Sequence, residues 1–389
     1  MKKNRILIAV LSLCLLFTMG LTACGKKKDS GTNGGDTPPG PTPTLEIVYG
    51  LPVAATGHYI KDADVLDDGN TRYLVYTTNE ESGENDNVIA VRSGKLDTQK
   101  GWAYGDEKIV LRGSAGAWDA NIGSASIVKG NFAYNGADYD WLMAYCATKQ
   151  TNDTQQQIGL AVANDPCGTW TKVGNKPLIE FDADVYGSSA VGCYAPSLVN
   201  LNKASIVRVF YTYADMYGHF AQFVDVDAAD AGVLFTDAAA DNVDLISGTV
   251  QLPTNGDISG GDAATMFPNA DFAFDAANEK VYAVKDYSPS AATAPNYAEK
   301  IELTGIAEEE FYTVETLEGW KSVRVWDMMD TDDMAYERLY SAAIVSDAYG
   351  HIDAAQDFEI VYNICDIAMD NADWMFSQNL KTFKVSLTA

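Results

Sequence analysis

Beyond residue 44 the chain alternates short apolar runs with polar turns, and five of those runs open in the same way. Asp62-Ala63-Asp64-Val65-Leu66 returns in degenerate form as Ser124-Ala125-Ser126-Ile127-Val128, Ala195-Pro196-Ser197-Leu198-Val199, Asn269-Ala270-Asp271-Phe272-Ala273 and Ser341-Ala342-Ala343-Ile344-Val345. Each copy leads, through a polar turn, into a second apolar and aromatic run, at 73–76, 141–145, 207–211, 281–284 and 358–362. Such runs, rich in β-branched and aromatic residues and bounded by turn formers, predict strands. A strand-bearing unit that recurs every 62 to 74 residues predicts an all-β fold, a five-bladed β-propeller.

Five blades divide residues 45–389 into about 69 residues each, enough for four short antiparallel strands and their loops. No linker interrupts this stretch, so a single domain is expected. The alternating segment 382–387 reads as a half-solvated outer strand, and 45–49 is expected to join it in one blade and close the ring. Residues 301–310 are expected to hold a helical turn, and Trp118, Trp141 and Trp170 to pack between blades. The first strand of each blade should run along the central axis. Because positions two apart in a strand point the same way, the first and third repeat positions should face the axis together: Asp62 with Asp64, Ser124 with Ser126, Ala195 with Ser197, Asn269 with Asp271, Ser341 with Ala343. Carboxylates crowded at one axis raise each other's pKa and demand a partner.

The beginning of the chain differs from the rest. Lys2, Lys3 and Arg5 precede an apolar run over 6–19 and then Leu21-Thr22-Ala23-Cys24, the layout of a secretory signal, too short for a permanent membrane span. Residues 24–44 are rich in Gly, Pro, Thr and Lys and predict a disordered tether. With 54 acidic groups against 27 basic ones in the chain, six of the latter before residue 29, the body from residue 29 carries −33. That charge should repel nucleic acid and anionic membrane and favours a neutral or cationic ligand. Cys146 and Cys365 lie inside predicted strands, where a free thiol acts as a small hydrophobe. Asp225 to Asp230 and Asp330 to Asp333 gather oxygen donors for a structural calcium, without the glycine and closing Glu of a hand-type loop. No organic cofactor is implied, since the chain has no phosphate loop, nucleophile elbow or zinc signature.

Leu21-Thr22-Ala23-Cys24 resembles the bacterial lipobox, which implies cleavage before Cys24, a lipid on that residue and a protein of the cell envelope whose only link to the membrane is this anchor. The repeats, together with Ile158-Gly159-Leu160-Ala161 running into Asn164-Asp165-Pro166-Cys167-Gly168-Thr169-Trp170, resemble the five-bladed propeller glycosidases, particularly family 43 glycoside hydrolases. The resemblance implies a carboxylate base at the start of the first inner strand, which is Asp62. It implies a second carboxylate in the second blade, a position that falls on Ser126, and an acid before Ala-Pro in the third, a position that falls on Tyr194. Sugar hydrolysis needs one group ionised and one protonated. Replacement carboxylates are sought in Asp64, Asp119 and Asp271. Candidate substrate contacts are Trp118, Tyr194 and Tyr217 as platforms for sugar faces, His219, and Arg338 as a group that neutralises axial carboxylates or grips a hydroxyl.

The expectation is therefore a monomeric, surface-anchored lipoprotein whose propeller hydrolyses or binds a poly- or oligosaccharide at the axial funnel. A glycan-binding protein without catalysis is the alternative. The solute-binding lipoprotein of a transporter is a third, and it would need two α/β lobes in place of repeated strands.

Overall fold

In the computed structural model, residues 44–48, 50–84, 86–97, 101–215, 218–236, 246–249, 267–287, 300–311, 320–331, 333, 335–366 and 373–387 are described. The leader, Cys24, the tether up to residue 43 and Tyr217 lie outside them. From Thr44 onward the described residues form five sheets, antiparallel but for one short parallel pairing at the seam of the ring. Their inner strands neighbour one another in cyclic order, giving a five-bladed β-propeller.

Blade I comprises Lys61–Asp68, Thr71–Asn79 and Asn87–Asp97, with Gly101–Tyr104 and Lys108–Arg112 both pairing to the last of these. Blade II is Asn121–Tyr134, Ala137–Thr148, Gln157–Ala163 and Thr171–Val173, and blade III is Gly192–Asn200, Ile206–Asp215, Gly218–Asp227 and Ile246–Thr249. Blade IV is Asp271–Asp275, Lys280–Asp286, Lys300–Ala307 and Lys321–Asp327. The expected helical turn follows its third strand at Glu308–Phe311. Blade V is Arg338–Ile344, Phe358–Cys365 and Gln378–Ser386, completed by the chain's first strand, Thr44–Val48, in register Thr44↔Ser386 to Val48↔Thr382. The two ends of the ring thus meet in one blade, as the alternation of 382–387 predicts.

Blades pack through apolar layers. Between I and II, Leu66, Val75, Ile89 and Val91 meet Ile127, Trp141, Met143 and Trp170, with the Trp141 ring edge-on to Tyr73 at 5.4 Å. Trp118 stacks on Tyr145 at 6.0 Å. Gly159 makes that possible, because a Cβ there would stand 2.7 Å from both rings. In the turn that follows, Asp165 accepts the Cys167 N–H at 2.9 Å and the Trp170 indole donates to Pro166 O at 3.0 Å. Cys146, Cys167, Cys193 and Cys365 are free thiols, and all but Cys167 are buried.

The seam between blades V and I is stitched by polar groups. Ser346–Asp347 pairs in parallel with Lys61–Asp68. The Arg72 guanidinium, 4 % exposed, donates to both oxygens of Asp67 and to Glu359 at 2.7 Å. A fork of this kind satisfies a buried cation with two carboxylates.

Candidate functional site

The inner strands do not alternate regularly through the repeat. Register slips interrupt them at Lys61/Asp64, Ile122/Ala125, Tyr194/Ser197 and Tyr340/Ala343. Asp62, Ala195, Asn269 and Ser341 sit at these breaks or at a strand's start with φ of +46 to +52°, a left-handed conformation that costs a residue with a Cβ about 1–2 kcal/mol. The bulge separates the two positions that regular alternation would place on one face. First-position residues Asp62, Ser124, Ala195, Asn269 and Ser341 all line an axial funnel of about 310 Å³. Third-position residues turn instead toward the next blade. Asp64 accepts the Ile127 N–H at 2.8 Å, Ser126 the Leu198 N–H at 3.0 Å, Ser197 the Phe272 N–H at 2.9 Å and Asp271 the Ile344 N–H at 2.7 Å. Each latch ties one inner strand to its successor; Ala343, in blade V, has no side-chain acceptor with which to make a fifth.

This arrangement corrects several expectations. Asp64 and Asp271 are latch residues outside the funnel lining, and Asp271 also accepts the Ser197 hydroxyl at 2.7 Å. Burial pushes both carboxyls up, Asp64 further through the charge of Asp271. Ser126 is a latch too, and the blade II residue in the funnel is Ser124. Asp119 is 3 % exposed and ion-paired with Lys172 at 2.5 Å, with the Ser114 and Tyr145 hydroxyls donating to it at 3.3 Å. It lies with Trp118 in the layer around Tyr145, so neither residue lines the funnel. Arg338 is buried outside the funnel lining, its guanidinium 3.9 Å from the Tyr340 ring centre and 5.8 Å from that of Trp374, and its charge opposes the rise of the Asp286 carboxyl. Of the carboxylates considered for calcium, Asp225 grips Arg208 at 2.6 Å, Asp227 takes the Ser205 hydroxyl, Asp230 caps a helical turn, Asp330 accepts the Asp327 N–H and Asp333 takes Tyr362 and Lys381, while Asp332 lies outside the described residues.

Asp62, Tyr194 and His219 do meet in the funnel. Asp62 is held from blade V, its N–H donating to Asn363 Oδ1 at 2.9 Å and its Oδ1 accepting the Ser341 hydroxyl at 2.9 Å. Lys61 stands 3.8 Å from its other oxygen. The Tyr194 hydroxyl and His219 Nδ1 are hydrogen-bonded at 2.7 Å. Burial drives the phenol far above its usual range and the imidazole down to about 4, so both are neutral at neutral pH.

Three groups at the site escape the repeat pattern. Asp153 and Cys146 line the funnel from blade II and the loop after its second strand. Asp286, the last residue of the second strand of blade IV, is 4 % exposed and stands behind the funnel lining. Its Oδ1 accepts the Ser341 N–H at 2.7 Å and its Oδ2 the Asn269 Nδ2 at 2.6 Å. Burial raises its carboxyl to about 7, and the charge of Asp62 adds to the effect. The sequence signal was only the polar Lys285-Asp286 ending the apolar run 281–284.

No protein-family model and no curated protein matches the sequence. Solved structures do match the fold. A family 117 glycoside hydrolase from the marine bacterium Zobellia galactanivorans aligns with TM-score 0.54 at 12% identity, over 89% of this chain and 91% of its own. The α-L-arabinofuranosidase of Podospora anserina, solved with cellotriose, aligns with TM-score 0.55 at 8% identity, over 88% of this chain and 97% of its own. The catalytic domain of a family 62 α-L-arabinofuranosidase from Coprinopsis cinerea gives 0.54 at 8% identity, over 89% and 98%. Spread over nearly the whole length of each partner, this likeness identifies the chain as a five-bladed β-propeller with the fold of these glycoside hydrolases.

Proposed function

We propose that the axial funnel binds a neutral oligo- or polysaccharide and holds it without cleaving it. The supporting observation is the funnel wall itself. Asp62, Ser124, Asn269 and Ser341 bring short hydrogen-bonding side chains around a space of about 310 Å³, at the lower end of the range of small-ligand sites. Asp62 and Asp153, set against Lys61 alone among the described lining residues, disfavour uronates and sulfated sugars. Cleavage would need a proton donor facing the leaving oxygen. At the position the family resemblance assigns to that acid stands the Tyr194 phenol, already bonded to His219, and the protonatable Asp286 is buried outside the funnel lining with both oxygens occupied. We further propose, from Lys2 to Cys24, that the chain is an exported lipoprotein presenting this funnel outside the cell.

The second reading, hydrolysis with Asp62 as base, is favoured by that carboxylate's place in the funnel. One experiment separates the two: binding and product release measured on a glycan panel that begins with α-L-arabinofuranosides and cellotriose, the sugars named for the family 62 neighbours. Binding without product, abolished by Ser124→Trp with the fold intact, is the expected result. Product that disappears in Asp62→Asn would make the protein a hydrolase, and no binding across the panel would remove the glycan reading.

A further inference from the structure

Asn269 lines the funnel, and its amide has two unlike ends. Which end faces inward is decided by Asp286. An ionised Asp286 only accepts, so it must meet the Asn269 Nδ2 and the Ser341 N–H, as observed at 2.6 and 2.7 Å. The amide oxygen of Asn269 is then left for the other side. A proton on Asp286 breaks this arrangement, because two donors would face each other. The Ser341 N–H belongs to the backbone and cannot reverse, so the proton must reside on Oδ2. It is satisfied there only if the Asn269 amide rotates by half a turn to accept it, which leaves the NH₂ as the group Asn269 offers to the funnel.

We propose that Asn269 is a specificity-determining residue whose hydrogen-bonding sense, acceptor or donor, is set by the protonation of Asp286, which acts as its positioning residue. The inference borrows its ligand class from the glycan reading, but the switch itself belongs to the unliganded protein.

Burial places the Asp286 carboxyl at about 7, where the two states exchange near neutrality. The groups around it leave that titration uncluttered. Asp62 from blade I and Arg338 from blade V are the charges that act on it, in opposite directions. Tyr194 from blade III and Tyr340 from blade V also face it, and burial lifts both phenols far out of the neutral range. His219 is neutral above about 4. Lys285, next along the strand, is paired with Glu302 at 2.8 Å.

The test follows the carboxyl carbon of Asp286 and the side-chain amide of Asn269 by NMR in the full chain between pH 5 and 9. Both are expected to move together with one midpoint near the value of about 7, and the Asn269 step is expected to vanish in Asp286→Asn. An Asn269 amide that stays fixed while Asp286 titrates overturns the proposal, as does an Asp286 carboxyl that does not titrate in this range. If Asp286→Asn does not fold, Asp286→Ser serves, since it too removes the titrating group; an Asn269 step that persists there overturns the proposal. Any sugar of the panel that binds should change affinity at least about threefold, roughly 0.7 kcal/mol, between pH 6 and 8 in the wild type and not in Asp286→Asn. If none binds, the glycan reading fails while the switch is judged on the NMR result alone.

Discussion

Ser126 Oγ accepts the backbone N–H of Leu198 at 3.0 Å, across the boundary between blades II and III. Asp64, Ser197 and Asp271 make the same contact at three other boundaries. The bond is buried, so its loss leaves an N–H without a partner. Ser126→Ala is expected to lower stability by about 1–2 kcal/mol, measured by urea unfolding. A change below a few tenths would show that water or backbone relaxation replaces the latch.

The pH dependence contributed by Asp286 has a definite sign. Its carboxyl in the fold, at about 7, lies above the ordinary value of 3.8. Between those values the folded protein holds a proton that the unfolded chain has released, so this group's contribution to stability falls as pH rises. Asp286→Asn removes the effect. Its unfolding midpoint relative to wild type should therefore climb from pH 5 to pH 7.5, and a constant difference would refute the assigned shift.

His219 works the other way. Its imidazole, lowered from 6.5 to about 4 by burial, stays neutral in the fold while the unfolded chain takes up a proton, so stability is lost as pH falls through that window. His219→Gln should gain on wild type between pH 7 and pH 5. Parallel melting curves at the two pH values would show instead that the ring charges within the fold.

Closure of the ring depends on five residues. A chain beginning at Gly50 lacks Thr44–Val48, the partner of Gln378–Ser386, and exposes that strand as an unpaired edge. A lower melting temperature and concentration-dependent self-association are expected by calorimetry and light scattering. A peptide spanning residues 41–49, added in excess, should reverse both. A truncated chain that stays monomeric with an unaltered melt would show that the seam needs only its polar stitching.

The parts of this molecule that could be read from sequence are those written in repeats. Five inner strands, their partner runs and the closing strand were legible because apolar periodicity is a local signal. The funnel residue Asp62 was legible because it opens a repeat. The assignment of Asp64, Ser126 and Asp271 to the funnel went astray for a specific reason. It assumed unbroken alternation, whereas Asp62, Ala195, Asn269 and Ser341 adopt positive φ, and no side chain in a run such as Asp-Ala-Asp announces that bulge. Asp286 was illegible for another reason. Its partners are Asn269, 17 residues earlier, and Ser341, 55 residues later, and only the converging blades bring the three together.

The bulge also divides labour within each repeat. Cohesion of the ring is assigned in four repeats to the third residue, which needs only an oxygen, and the funnel lining to the first, of which Ser341 also bonds Asp62 across the boundary between blades V and I. Asp, Ser, Ala, Asn and Ser can thus occupy the five first positions with the four third-position latches untouched. A ring built this way can exchange the lining of its funnel one blade at a time, and so change the groups it presents at the axis, while the latches that hold its inner strands together stay in place.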